Sequence, residues 1–165
     1  MAPSREARVR TFGLCLVLVA SSAAAETSVA VLPIEPRAGA LQPAEAAALT
    51  QELRKTARDV LAPHGFAVVD ASGDVASALQ AGASFALFGH AATLEGATVV
   101  AVGVYKPGSP APSGFARVVG IGLDQLRTDL RAKIPKLLTT SLGLASSSPE
   151  PVQPRGTLRI PSQTK

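Results

Sequence analysis

Residues 27–70, TSVAVLPIEPRAGALQPAEAAALTQELRKTARDVLAPHGFAVVD, decide the fold. Thr27–Ile34 (TSVAVLPI) is a β-branched and apolar run that reads as a strand buried on at least one face. Pro33 stands near its end, where a strand can give up a ladder hydrogen bond, and Glu35–Gln42 follows as a loop. Pro43 then opens a helix at the position where its missing N–H costs nothing, with Glu45 in the first turn facing the positive end of the dipole. Ala46, Leu49, Leu53, Ala57, Val60 and Leu61 recur at helical spacing as one apolar stripe. Gly65 follows His64 as a left-handed cap, and Phe66–Asp70 (FAVVD) is a second strand. Strand, helix and strand in this order describe a right-handed crossover if the two strands lie parallel in one sheet.

Downstream, Asp74–Gln80 is at best a short helix. Ser84–Gly89 (SFALFG) is a third strand reaching toward Leu94, Glu95-Gly96 a two-residue turn, and Ala97–Tyr105 (ATVVAVGVY) a fourth strand. Lys106–Gly114 (KPGSPAPSG) is a proline-broken loop, and Phe115–Ile121 (FARVVGI) a fifth strand. A last helix over Leu123–Leu142 carries Leu123, Leu126, Leu130, Ile134, Leu137 and Leu138 on one face; Pro135 predicts a kink or break near residues 131–135. The expectation is an α/β (α+β) domain over residues 26–143, with a mixed five-stranded sheet packed against two main helices.

The ends of the 165-residue chain have a different character. Arg5, Arg8 and Arg10 precede the uncharged stretch TFGLCLVLVASSAAA, and Ala23 and Ala25 precede Glu26. Basic start, short apolar run and Ala-x-Ala predict a secretory signal peptide over residues 1–25, cleaved after Ala25. The apolar part is too short to span a membrane, which needs about 20 residues. Leu14 before Cys15 does not fit a lipoprotein site, and Cys15 is the only cysteine. Cleavage would leave a chain without disulfides, thiol chemistry or cysteine metal sites. Residues 144–165, rich in Ser and Pro, read as a disordered tail.

Cleavage removes three Arg and one Glu, leaving 13 basic and 11 acidic residues, a net of +2. A charge so small, with four Phe and Tyr105 as the remaining aromatics, argues against nucleic-acid binding. His64 and His90 have no second histidine or paired carboxylate at metal-ligand spacing. Gly120-Ile-Gly122 has Gln125 where a dinucleotide turn would have its third glycine, and reads as a flexible lead-in to the last helix. Neither a P-loop nor a G-x-S-x-G elbow occurs. Asp70 and Asp74, around Gly73, read as turn residues capping the short helix. Arg127, Arg131, Lys133 and Lys136 read as a solvated helix face, with an anionic lipid or partner as a minor alternative. Catalytic, cofactor-binding and metal-ligating residues are expected to be absent.

TSVAVLPIEP (27–36), ALTQELR (48–54), FAVVD (66–70) and AGASFALFG (81–89) together resemble the amino-terminal domain of the TolB family and the related FlgO-like and CsgG-like bacterial envelope proteins. The resemblance covers roughly residues 27–142 and rests on apolar residues and glycines. It implies a mixed sheet with two packed helices, no active site, and a role as a binding or oligomerising module in envelope assembly, secretion or motility. Ser84 stands where the family often has Asp, and neither a β-propeller nor a pore-forming extension follows. RGTLRIPS (155–162) resembles the opening strand of a PEGA domain. The chain is therefore expected to be a non-catalytic periplasmic accessory protein, compatible with outer-membrane association, acting on an envelope protein partner without a cofactor. The first rival is a small-molecule or glycan-binding module, which needs a crevice with convergent polar groups. The second is a hydrolase, which needs His64 or His90 beside a hydroxyl and a carboxylate.

Overall fold

The computed structural model describes residues 26–37 and 39–144. The expected signal peptide, with Ala23 and Ala25, lies outside the described residues, and so do tail residues 145–165 with the PEGA-like segment. The elements run β1 (Ser28–Val31), β2 (Glu35–Pro36), α1 (Pro43–Leu61), a 3-10 turn at Ala62–His64, β3 (Ala67–Asp70) and α2 (Val75–Gln80). Then come β4 (Phe85–Leu94), β5 (Ala97–Tyr105), β6 (Gly114–Gly120) and α3 (Leu123–Leu142). They form one mixed sheet in the order β3-β1-β4-β5-β6, and β2 pairs with β4. The five expected strands are present. The sixth, β2, lies in the segment expected to be loop: Glu35 and Pro36 pair in parallel with His90 and Ala91.

Chain direction explains which face each helix covers. From β1 the chain passes through α1 to β3, a parallel neighbour on one side. It returns through α2 to β4, a parallel neighbour of β1 on the other side. Two right-handed crossovers running in opposite directions must lie on opposite faces. Accordingly Val29 and Val31 of β1 join one cluster with Leu49, Leu53 and Leu61 of α1. Ala30 joins a smaller cluster with Ala78 of α2, Leu32 and Ala86. The remaining strands are antiparallel hairpins, which bring no crossover helix. After β6 the chain returns to the first face, where Leu126, Leu130, Ile134 and Leu138 of α3 complete the large core beside Val100, Val102 and Val118.

Local chemistry supports this arrangement. The Gln42 N–H donates to Glu45 Oε2 at 2.9 Å, closing the start of α1. Buried Thr50, not in the expected stripe, accepts the Ile34 N–H at 2.9 Å and donates to Ala46 O at 2.8 Å, tying the bend after β1 to α1. Gly65 has φ 75°, capping the 3-10 turn that extends α1. In the β4–β5 turn both residues have positive φ, 50° at Glu95 and 81° at Gly96, the hairpin geometry that matches strand twist.

Two expectations on α3 are corrected. Of the kink or break expected near residues 131–135, the break does not occur: the helix runs through Pro135, with Ile134, Leu137 and Leu138 on its buried face in one core. Thr139 Oγ1 donates to Pro135 O at 3.0 Å across this turn. Gly120-Ile-Gly122 is no flexible lead-in either. A Cβ at Gly120 would stand 2.9 Å from Leu126 N, so the glycine lets the backbones of β6 and α3 approach. Gly122, at φ 91°, makes the turn between them.

Candidate functional site

An antiparallel sheet with one solvated face ordinarily carries polar residues there. On β4, β5 and β6 the face opposite α1 and α3 is instead mostly apolar, with His90 and Arg117 as the exceptions. Its cross-strand rows are Phe88–Gly103–Phe115, His90–Ala101–Arg117 and Ala92–Val99–Val119, followed by Leu94–Ala97. Ile121, one residue beyond β6, continues this apolar end. Phe115 is 65% exposed, Leu94 63% and Ile121 80%. Of the five aromatic residues after position 25, Phe66 and Phe85 pack together on the core side, at 6.4 Å between ring centroids. The other three, Phe88, Tyr105 and Phe115, belong to the open side.

Relief is built into this surface. A Cβ at Gly103 would meet the Tyr105 ring at 3.0 Å and Pro112 at 3.1 Å, so ring and loop fold over the glycine. The Ser113 N–H donates to Val104 O at 2.7 Å and fixes the end of the 106–113 loop. Beside them a trough of about 190 Å³ runs over Ala101 between Phe88 and His90 on one wall and Phe115 and Arg117 on the other. A second cleft, about 450 Å³, lies between Val75 and Leu79 of α2 and Tyr105, Pro107 and Pro110; Gln80 and Ser109 are its polar side chains. The cleft lacks the convergent polar groups that a glycan or small polar ligand would need, and the trough, although His90, Tyr105 and Arg117 line it, is smaller than the roughly 300 Å³ at which ligand sites begin.

The edge of the same sheet is closed. Gln125, Asp129 and Lys133 fall at i, i+4 and i+8 on α3, one above the other along β6. Gln125 Oε1 accepts the Ile121 N–H at 2.7 Å, and Asp129 Oδ2 accepts the Val119 N–H at 2.9 Å. Lys133 Nζ donates to Arg117 O and to Asp129 Oδ2, each at 2.7 Å. Burial works against the charge of Asp129, but the hydrogen bonds from Lys133 and Val119 outweigh it and hold the carboxyl below the ordinary range. These side chains take the place of a neighbouring strand, which protects an edge against strand addition.

The residues singled out in the sequence are placed apart. Asp74 caps α2, accepting the Ser77 N–H at 2.7 Å. Asp70 is no cap: it lies at the end of β3, 3.1 Å from Arg54 Nε and 3.4 Å from Arg58 Nη2. In the basic cluster Arg131 binds Glu52 of α1 in bidentate fashion, at 2.6 and 2.9 Å, and Lys133 guards β6. Arg127 lies 3.6 Å from Asp124. Hydrogen bonding by Arg131 holds Glu52 below its ordinary pKa despite burial. His64 ends the 3-10 turn, whereas His90 stands on the open face with its ring 6.4 Å from that of Phe88. They sit on different elements, and neither enters a side-chain hydrogen bond among the described residues. Among those residues no group of three or more His, Cys, Asp or Glu could hold a metal ion, and no helix is long and apolar enough to cross a membrane.

The open face escaped the sequence reading, although its signal was present. Ala97–Tyr105 is apolar at both odd and even positions, which reads equally well as a doubly buried strand.

No family model matches the chain, and no curated protein matches it. Among solved structures it is similar to a PelC dodecamer from Paraburkholderia phytofirmans, at 18% identity over 71% of this chain and 88% of that one, TM-score 0.47. It is also similar to the LpoB C-terminal domain from Salmonella enterica, at 18% identity over 62% and 87%, TM-score 0.41. A third is a neuraminyllactose-binding hemagglutinin homolog from Helicobacter pylori, at 11% identity over 73% and 84%, TM-score 0.39. At such identities and TM-scores these likenesses bear on neither function nor partner.

Proposed function

We propose that this chain is an exported, non-catalytic accessory protein of the bacterial envelope that acts through protein–protein contacts on the open face of β4, β5 and β6. The observation that carries the reading is an apolar sheet face that no helix covers over β5, β6 and the distal half of β4, with Phe115 and Arg117 exposed on it and Phe88 and Tyr105 where it meets α2. Aromatic residues and arginine are the types enriched at protein interfaces. The guarded edge of β6 directs contact to the face. The basic start, apolar run and Ala23-x-Ala25 support export to the periplasm, and the resemblance of residues 27–142 to TolB-type amino-terminal domains supports a binding role. The separate placement of His64 and His90 favours recognition over hydrolysis.

Site-specific photo-crosslinking tests this in a bacterium with two membranes. A crosslinker at Phe115 is expected to give a discrete adduct in the periplasmic or envelope fraction. One at exposed Asp59 of α1 is expected to give none. Retention of the chain in the cytosol with residues 1–25 intact, or equal adducts from both positions, overturns the reading.

A further inference from the structure

We infer that the open face pairs with the same face of a second copy of this chain, in a symmetric dimer whose two-fold axis runs parallel to the strands between β4 and β5. The inference rests on the reading of this face as a contact surface and names its occupant. Two independent features of the surface support it, one of size and one of charge.

The first is a checkerboard. Toward the β4–β5 turn, His90 pairs with Ala101, Ala92 with Val99 and Leu94 with Ala97. Each row holds one larger and one small side chain, and the larger alternates between the strands. Facing sheets pack about 10 Å apart, with inward side chains interdigitating. The stated axis lays β4 of one copy over β5 of the other at the same level. His90 then meets Ala101, Val99 meets Ala92 and Leu94 meets Ala97, each twice. A two-fold axis across the strands, centred on the Ala92–Val99 row, would set Val99 on Val99 and Ala92 on Ala92, a clash beside a void. Self-complementarity of this kind is what a symmetric interface requires.

The second feature is charge. Glu35 of β2 pairs with His90, and Arg117 of β6 pairs with Ala101, so one row reads Glu35–His90–Ala101–Arg117 across four strands. It is acidic at one end and basic at the other. The axis that satisfies the checkerboard also brings Glu35 of each copy over Arg117 of the other. The element needed for this is the unforeseen strand β2, which carries Glu35 into the sheet.

Sedimentation velocity on the full chain, across roughly 5–500 µM, tests the proposal. A reversible monomer–dimer equilibrium is expected. Arg117→Glu and Glu35→Arg should each weaken association about tenfold or more, since each sets like charges together at two symmetric contacts. The double variant Glu35→Arg/Arg117→Glu should restore it to within about threefold of the parent. Both positions are at the surface, and circular dichroism checks that the variants fold. A chain monomeric throughout, or a dimer that the double variant does not restore, overturns the inference. If Phe115 still crosslinks in cells to a different envelope protein, the occupant is wrong while the reading of the face stands.

Discussion

The two faces of this sheet come from the same strands and have opposite fates. On one, Val100, Val102 and Val104 of β5 are fully buried under α1 and α3. On the other, Val99, Ala101 and Tyr105 of the same strand keep access to solvent. Hydrophobicity does not separate them, because both sets are apolar. Connection does: a crossover helix covers the face it crosses, and the one on the second face, α2, has six residues and extends about 9 Å. Beyond β4 the chain advances by hairpins and delivers no further helix to that side, only the 106–113 loop over Gly103. An apolar face can thus mean a core or an interface, and chain path decides which.

Substitution should widen the contrast most on the covered side. Leu130→Ala removes a fully buried side chain from the core between α3 and the sheet and is expected to destabilise by about 2–5 kcal/mol in chemical denaturation. A loss under about 1 kcal/mol would mean that α3 does not cover the sheet as described. Between the faces lies the guarded edge. Asp129→Ala should cost about 1 kcal/mol by leaving the Val119 N–H to water and Lys133 without its carboxylate. The same variant carries a pH signature. The Asp129 carboxyl is held below its ordinary pKa, so its contribution is complete above that value and disappears as pH falls through the lowered one. The parent should therefore lose stability more steeply than Asp129→Ala below about pH 4. Parallel melting curves for the two proteins across pH 3–7 would contradict this. The smallest effect belongs to the open face: Phe115→Ser should change the isolated fold by no more than about 0.5 kcal/mol. A larger loss would show that Phe115 belongs to the core and that the faces are not so different.

Much of the architecture was legible because it is local. The apolar stripe of residues 46–61, the Glu95-Gly96 turn and the strand beginning at Phe115 follow from spacing and turn chemistry that a few neighbouring residues contain. Apart from Gly120-Ile-Gly122, where the close approach is to nearby Leu126, the misreadings involve packing partners outside their own segment. Glu35–Pro36 becomes a strand because His90 and Ala91 lie beside it, 55 positions later. Asp70 becomes an ion-pair anchor because Arg54 and Arg58 on α1 project over the end of β3. Pro135 is held in an unbroken helix by the core beneath it. As for the candidate site, the residue types were visible in FALFG, VVAVGVY and FARVV, but their common plane was not.

Sequence alone determined the strand–helix–strand start and the apolar faces of both long helices. These follow from periodicity and composition, which a linear chain carries complete. Only the tertiary structure decided that one apolar face would remain uncovered and that Glu35 and Arg117 would share a row. Each depends on which strands become neighbours and on which side a connection passes, and pairing across the sheet has no local signature in either strand.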